Sequence, residues 1–310
     1  MASVTQKLHK RGLIHPPPWL PMNVHYETVM GSVAYGCADT SVKKNRVADT
    51  DVYGFAIPPK DYIFPHLRGE IAGFGTHGET FHNWQKHHIL DEDANAGKGE
   101  EFDISLFNIV SFFELCRGNN PNMIDSLFVP ENCILHCTNV GQIVRDNRRL
   151  FLSKLCWKKF RGYAMTQLKK MNDKNPVGKR REIIDQHGYD VKFAYHIIRL
   201  FDEVEQIMLE GDLDLQRAKE TMKAIRRGDW TVDEVRSWAM EKEKALEVAY
   251  TKCKLPERPP EKPLYDLLIR CLEEHYGSLE ACVTQTDWAV DGLKEVDQLL
   301  EKFRTKMYSN

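Results

Sequence analysis

Two aspartates one residue apart, Asp49 and Asp51, stand at the head of an apolar run, Thr50 to Ile57, that reads as a β-strand stopped by Pro58 and Pro59. Side chains alternate along a strand with period two, so both carboxylates face one way and one metal ion can touch both. Carboxylate oxygens are hard ligands of the kind magnesium takes, and magnesium keeps part of its shell for water and substrate phosphate. Upstream, a strand over His25 to Met30 ends at Gly31 and Ser32, and Val33-Ala34-Tyr35-Gly36 follows as a stretch able to begin a short helix. Glycine at such a bend lets a phosphate approach the backbone, and the serine hydroxyl, free N–H groups and a helix N-terminus supply donors. A phosphate cradle beside a carboxylate pair suits phosphoryl transfer, where positioning and charge neutralisation accomplish most of the catalysis.

Two metal ions about 4 Å apart usually require a third carboxylate from a neighbouring strand. Asp103 is the candidate, in a short strand around Phe102 to Ile104 that runs into the helically spaced pattern Leu106, Phe107, Ile109, Val110, Phe113 and Leu115. Asp103 is thus expected where strand gives way to helix, and Glu101, two residues earlier on the same face, is its rival. Each assignment has a plain structural alternative. Asp49 and Asp51 could form a solvated turn after the polar run 41–48, Asp103 could cap a helix beginning near Ser105, and Gly31-Ser32 could be an ordinary strand-ending turn.

The elements that must position these residues divide the chain near residue 140. Glycine, proline and short β-prone runs precede that point and long charged helical patterns follow it. Helices are expected over Val140–Met171, Lys192–Leu209, Leu215–Arg227, Thr231–Lys252, Pro263–Tyr276 and Asp287–Met307. The segment Gly69–Gly99 is long for a connection and rich in Gly and His; it reads as a partly ordered lid, with His87 and His88 either donating to phosphate or lying on a polar loop. The fold class is therefore α+β.

Composition sets the remaining bounds. The chain has 310 residues, 42% of them hydrophobic, which supports a buried core, and no apolar run or leader suits a membrane span or secretion signal. Eight scattered cysteines without a CxxC pair fit reduced thiols in a cytoplasmic setting; Cys133, His136 and Cys137 read as buried groups sooner than as a zinc site. Overall charge is nearly balanced, with 43 Lys plus Arg against 45 Asp plus Glu. The stretch Gly141 to Lys192 is nevertheless basic, with fourteen Lys or Arg against five Asp or Glu. Its residues Arg145, Arg148, Arg149, Lys154, Lys158, Lys159 and Arg161 could line a cleft for nucleotide or RNA phosphates. Trp157, Phe160 and Tyr163 interleave with them, and helical spacing favours core packing over base stacking.

Gly-Ser followed within a few tens of residues by Asp-x-Asp is the pattern of polymerase-β-like nucleotidyltransferases. The chain resembles, more closely, the RNA-repair-associated DNA-polymerase-β-like family (RlaP type), which has bacterial and phage members. The similarity lies in GSVAYG (31–36), DTDVYGFAIPP (49–59), the pair His87-His88, EFDISLFNIVSFFELCRGNNPNMIDSLF (101–128) and HGYDVKFAYHIIRL (187–200). One departure is Ala48-Asp49, where family members tend to carry Ser-Asp.

The resemblance implies a nucleotidyltransferase catalytic domain over 1–138, with a small mixed sheet, and a helical domain over 139–310 that contributes to the cleft. It implies catalysis and metal binding by Asp49, Asp51 and Asp103, with two Mg2+ ions or Mn2+ in their place. Gly31, Ser32 and Tyr35 would bind the nucleotide. Lys192 matches the lysine that contacts the triphosphate in related enzymes, with His196 and Arg199 on the same helix face. The implied reaction moves an NMP from an NTP such as ATP to a hydroxyl acceptor, an RNA end or tRNA among the candidates, in a cytoplasm (the host's for a phage member). The competing readings are a toxin-like transferase that modifies a protein or small molecule, and a non-catalytic RNA-binding protein.

Overall fold

A nine-residue strand carries Asp49 and Asp51 through the centre of a five-stranded mixed sheet. The strands are β1 (Val24–Val29), β2 (Ala48–Ala56), β3 (Asn83–Asp91), β4 (Glu100–Asn108) and β5 (Ile134–Cys137), in the order β3-β4-β2-β1-β5. β2 and β4 run parallel, and each other neighbouring pair is antiparallel. The computed structural model describes residues 2–38, 48–78, 80–171 and 179–278, together with 280, 296, 299 and 300.

The helices are α1 (Val4–Lys10), the four-residue α2 (Lys60–Ile63) and α3 (Ala94–Gly97), α4 (Ile109–Arg117), α5 (Pro121–Phe128) and α6 (Asn139–Asp146). Then come α7 (Leu155–Met171), α8 (Lys179–His187), α9 (Val191–Glu210), α10 (Lys219–Arg227), α11 (Val232–Lys252) and α12 (Glu261–Tyr276). Their starts are set by residues that satisfy the first free N–H groups. Asn108 accepts from Val110 N–H at the head of α4, Asp190 accepts from Lys192 N–H at the head of α9, and Thr231 with Glu234 forms a reciprocal capping box on α11.

Contacts divide the chain into two compact units, Met1–Pro58 with Phe81–Cys271, and Pro59–Thr80 with Leu272–Asn310. In the first, Leu8, Ile14 and Leu20 cover one sheet face, packing with Val52, Ala56, Ile104 and Leu106. On the opposite face Phe55 meets Phe112 of α4 at 5.0 Å between ring centroids and Tyr26 at 5.8 Å. Among the later helices α9 is the centre, packing against α7, α10 and α11, while α6 packs on β1. A buried glutamate ties the N-terminus down: Glu27 of β1 accepts from Val4 N–H at 2.6 Å and from the Thr5 hydroxyl at 2.5 Å. In the second unit Glu70 pairs with Arg68 at 3.1 Å and accepts from Gly78 N–H at 3.0 Å.

Several expectations change. Leu106 and Phe107 belong to β4, and the helix begins at Ile109; Asp103 therefore sits in mid-strand and caps nothing. Of the expected lid, Asn83–Asp91 is the edge strand β3. The expected helix Val140–Met171 is broken by a 3-10 turn, Arg148–Phe151, between α6 and α7. The expected helix Asp287–Met307 lies outside the described residues except for 296, 299 and 300, which are helical. The composition change near residue 140 coincides with the passage from β5 to α6. Among the described residues no helix is long and apolar enough to cross a membrane.

Two glycines in regular elements should respond to alanine with opposite signs. A Cβ on Gly54 of β2 would lie 1.9 Å from the Tyr26 carbonyl oxygen, so Gly54→Ala should cost at least about 2 kcal/mol. Gly162 in α7 faces open space, so Gly162→Ala should stabilise by about 0.5–1 kcal/mol. Urea-unfolding midpoints of the two variants check both.

Candidate active site

The parallel register of β2 and β4 sets Asp49 opposite Glu101 and Asp51 opposite Asp103. Parallel pairing keeps residues of equal parity on the same face, so all four acids and Tyr53 share one side. Asp49 is exposed, whereas Asp51, Glu101 and Asp103 are half-buried. Burial raises the Asp51 carboxyl above its ordinary pKa, with the negative charges of Asp49 and Asp103 adding to it, while Lys192 and His87 pull it back. Burial, with Asp51 and Asp103 nearby, likewise raises the Tyr53 phenol. Such crowding of like charge favours a cation between the strands.

The turn after β1 meets this face. Met30 N–H donates to Asp51 C=O at 2.8 Å, and Gly31 has φ +70°, in the left-handed region. A Cβ at residue 31 would lie 2.7 Å from Asp51 Oδ2. Glycine is therefore required both by the backbone and by the approach of the acid. Residues 31–36 run as consecutive turns, with Tyr35 N–H donating to Gly31 C=O at 3.3 Å and Cys37 N–H to Ser32 C=O at 2.8 Å. The N–H groups of Ser32, Val33 and Ala34 have no backbone acceptor among the described residues. Ser32 and Val33 reach solvent while Ala34 is fully buried, so the first two offer a pair of donors next to the carboxylates, as an anion site needs.

On the other side of β4, the strand β3 bulges. Lys86 pairs with Ile104 and Ile89 with Phe102, so His87 and His88 together oppose Asp103. His88 has φ +56°, an uncommon conformation for a residue with a side chain. It turns the His88 N–H onto Asp103 Oδ1 at 2.7 Å and the ring onto Glu101 Oε1 at 2.5 Å, while His87 Nδ1 lies 3.4 Å from Asp103 Oδ2. The hydrogen bond to Glu101 raises the His88 pKa, with Asp103 next in effect. His88, Glu101 and Asp103 bring ligand atoms within 4.8 Å of one another, the one such group among the described residues. Asp49 and Asp51 stand beside that group on β2 and not within it. Carboxylates dominate the donor set, with Asp49 and Asp51 on β2 opposite Glu101 and Asp103 on β4, so the residues fit a hard divalent cation.

The remaining sequence candidates fall into two environments. Lys192 is exposed in the first turn of α9 and acts electrostatically on Asp51. His196, one turn on, is mostly buried; burial, reinforced by Arg199, Lys192 and Arg226, lowers its pKa to about 3, so the imidazole is neutral. Tyr35 and Arg199 lie deeper. Arg199 donates to the Tyr35 hydroxyl at 2.5 Å, contacts Asp125 of α5 and stands 3.5 Å from Glu203; Tyr35 donates to Asp125 at 2.8 Å. All four side chains are buried. Arg226 donates to Cys37 C=O at 2.7 Å and Gln216 to Ala34 C=O at 3.2 Å, so the same loop is tied to α10 and to the turn before it.

Asp125, Glu203, Gln216 and Arg226 did not emerge from the sequence, nor did a bulge as the role of His87 and His88. The pair was visible, and only tertiary pairing shows what it faces. Cys133, His136 and Cys137 form no metal group; Cys133 is buried and His136 bonds Val24 C=O at 3.2 Å.

A family model described as "RNA repair pathway DNA polymerase beta family" (RlaP) matches residues 18–258. The chain belongs to this family. No curated protein and no solved structure matches it.

The raised Asp51 pKa has a thermodynamic consequence. A carboxyl whose folded pKa exceeds its unfolded value contributes favourably at low pH, and that contribution is lost as pH rises through the folded pKa. Ionised Asp51 is thus a net cost at pH 7. Asp51→Asn should leave the thermal midpoint at pH 7 equal to or above that of the wild type, and the difference should vanish below about pH 4. Calorimetry at both pH values checks it.

Proposed function

We propose that this member of the RNA repair pathway DNA polymerase beta family transfers a nucleoside monophosphate from an NTP to a hydroxyl of an RNA acceptor, releasing pyrophosphate. The observation that carries the reading is the β2–β4 register, which sets Asp51 opposite Asp103 beside the Gly31 turn. On this reading residues 1–138 form the catalytic part, residues 139–310 complete the cleft, and the protein works in a cytoplasm.

Asp49, Asp51 and Asp103 would hold two magnesium ions, which would supply Lewis-acid activation of the attacking hydroxyl and neutralise charge on the departing pyrophosphate. The N–H groups of Ser32 and Val33 hold phosphate oxygens, and the Gly31 bend keeps them against the acids. Lys192, exposed and electrostatically linked to Asp51, pairs with the triphosphate. The acceptor oxygen forms a bond to the α-phosphorus while the bond from that phosphorus to the bridging oxygen breaks, and the hydroxyl proton passes toward Asp103. The His88 N–H on Asp103 Oδ1 and His87, 3.4 Å from Oδ2, orient that carboxylate. Tyr35 and Arg199 act from beneath by holding the loop, and neutral His196 packs between them and Lys192 without adding charge.

Release of labelled pyrophosphate from each γ-labelled NTP, with RNA and magnesium, tests the reaction. Asp51→Asn and Asp103→Asn should each lower turnover by on the order of 10³-fold or more, as expected for loss of several kcal/mol of transition-state stabilisation. Lys192→Ala should lower kcat/KM for the NTP roughly ten- to hundredfold, the worth of one charged contact. Near-normal turnover by either aspartate variant would refute the assignment.

A further inference from the structure

Of the seven cations from Arg145 to Arg161 that the sequence singles out, five are consumed by the fold. Arg145 is buried and pairs with the exposed Glu131, Arg149 pairs with Asp212, Lys154 with Glu257 and Arg161 with Glu243. Arg148 donates to Arg145 C=O and lies over the Phe128 ring. Lys158 and Lys159 are different: both are exposed, and neither has an ion-pair partner among the described residues. They line a pocket of about 420 Å³ together with Arg117 from the end of α4 and Arg258 from the segment before α12. Arg258 is also exposed and outside the ion pairs of the described residues. Two acids, Glu114 and Glu261, share the rim, and Glu114 is already paired with Arg117 at 2.8 Å. Four cations against two carboxylates leave the pocket positive.

The pocket continues into a second cavity of about 120 Å³ through Glu114, Arg117 and Glu261, and here the walls turn apolar, with Phe113 and Leu264. Tyr265 stands at its side, 60% exposed. A positive hollow opening onto an exposed aromatic ring and an apolar wall is the combination that holds single-stranded nucleic acid, the cations taking the backbone and the ring a base face. A free phosphate or an acidic peptide would use the first half and have no use for the second. Arg117 lies five strand and nine helix residues beyond Asp103, a path of at most about 30 Å, so one strand could reach both places.

We propose that this cleft between α4, α7 and the start of α12 binds the RNA strand at a distance from its reacting end, with Lys158, Lys159 and Arg258 on phosphates and Tyr265 stacked on a base. The proposal rests on the reading that the acceptor is RNA and adds a second contact to it. Binding can be tested apart from transfer, using a short fluorescein-labelled single-stranded RNA, EDTA and no NTP, by anisotropy across a salt series.

Lys158→Ala/Lys159→Ala should weaken binding roughly tenfold and reduce the slope of log K against log salt by about 1.4, since each lost phosphate contact on a single strand removes about 0.7. Tyr265→Ala should weaken binding several-fold and leave the slope unchanged. The exposed pair Lys244→Ala/Lys252→Ala on α11 serves as control and should do neither. An unchanged slope in the Lys158/Lys159 variant, an equal loss in the control, or displacement of the RNA by poly-glutamate as readily as by unlabelled RNA would overturn the proposal. Absence of pyrophosphate release together with the expected binding pattern would count against the transfer reaction alone.

Discussion

Everything in the site follows from a single constraint: two strands that are distant in sequence run in the same direction and in one register. Had β4 been shifted by one residue against β2, Asp103 would point toward the apolar core formed with Val52 and Ile104 instead of toward Asp51. A parallel pair cannot be closed by a hairpin, so the chain must travel from Ile57 to Gly99 before returning. That journey supplies β3, and β3 supplies the histidines. The crossover is thus a source of site residues as well as a connection.

A second layer of order lies beneath the loop that follows β1. Tyr35 is gripped by Arg199 and Asp125, Cys37 by Arg226 and Ala34 by Gln216. Elements separated by well over a hundred residues therefore fix the conformation of six residues at the site. Two buried carboxylates, Asp125 and Glu203, share the one guanidinium of Arg199, and burial raises the pKa of both. Arg199 touches Asp125 and lies 3.5 Å from Glu203, and its charge opposes the rise in both. Buried networks of this sort specify one arrangement more than they add stability.

How much of this could be read from the residues depended on whether the signal was local. The Asp49-Thr50-Asp51 strand and the Gly31-Ser32 bend were legible because period-two alternation and turn chemistry are properties of adjacent residues. The long helices α9 and α11 were legible for the same reason, with Asp190 and the Thr231–Glu234 box marking their starts. β4 was misjudged at Leu106 and Phe107 because strand and helix share one continuous apolar run there, and only Asn108 separates them. β3 escaped notice because its bulge and its exposed side chains destroy alternation. Spacing placed Lys192, His196 and Arg199 on one helical face, yet spacing cannot say where that face passes from solvent into the interior. Lys192 lies on one side of that line and Arg199 on the other.

The kink at His87 and His88 bears on more than the orientation of Asp103. β3 is the outermost strand on its side of the sheet, and a regular outermost strand offers unpaired amide groups to any passing chain. Here the row of amides is interrupted halfway, one N–H being turned back onto a carboxylate of its own molecule. At the far border the last strand is four residues long, too short to template much. Chemistry and colloidal behaviour thus share the same two residues, and any sequence drift that straightened that border to relax the His88 backbone would also make the molecule adhesive to its own copies.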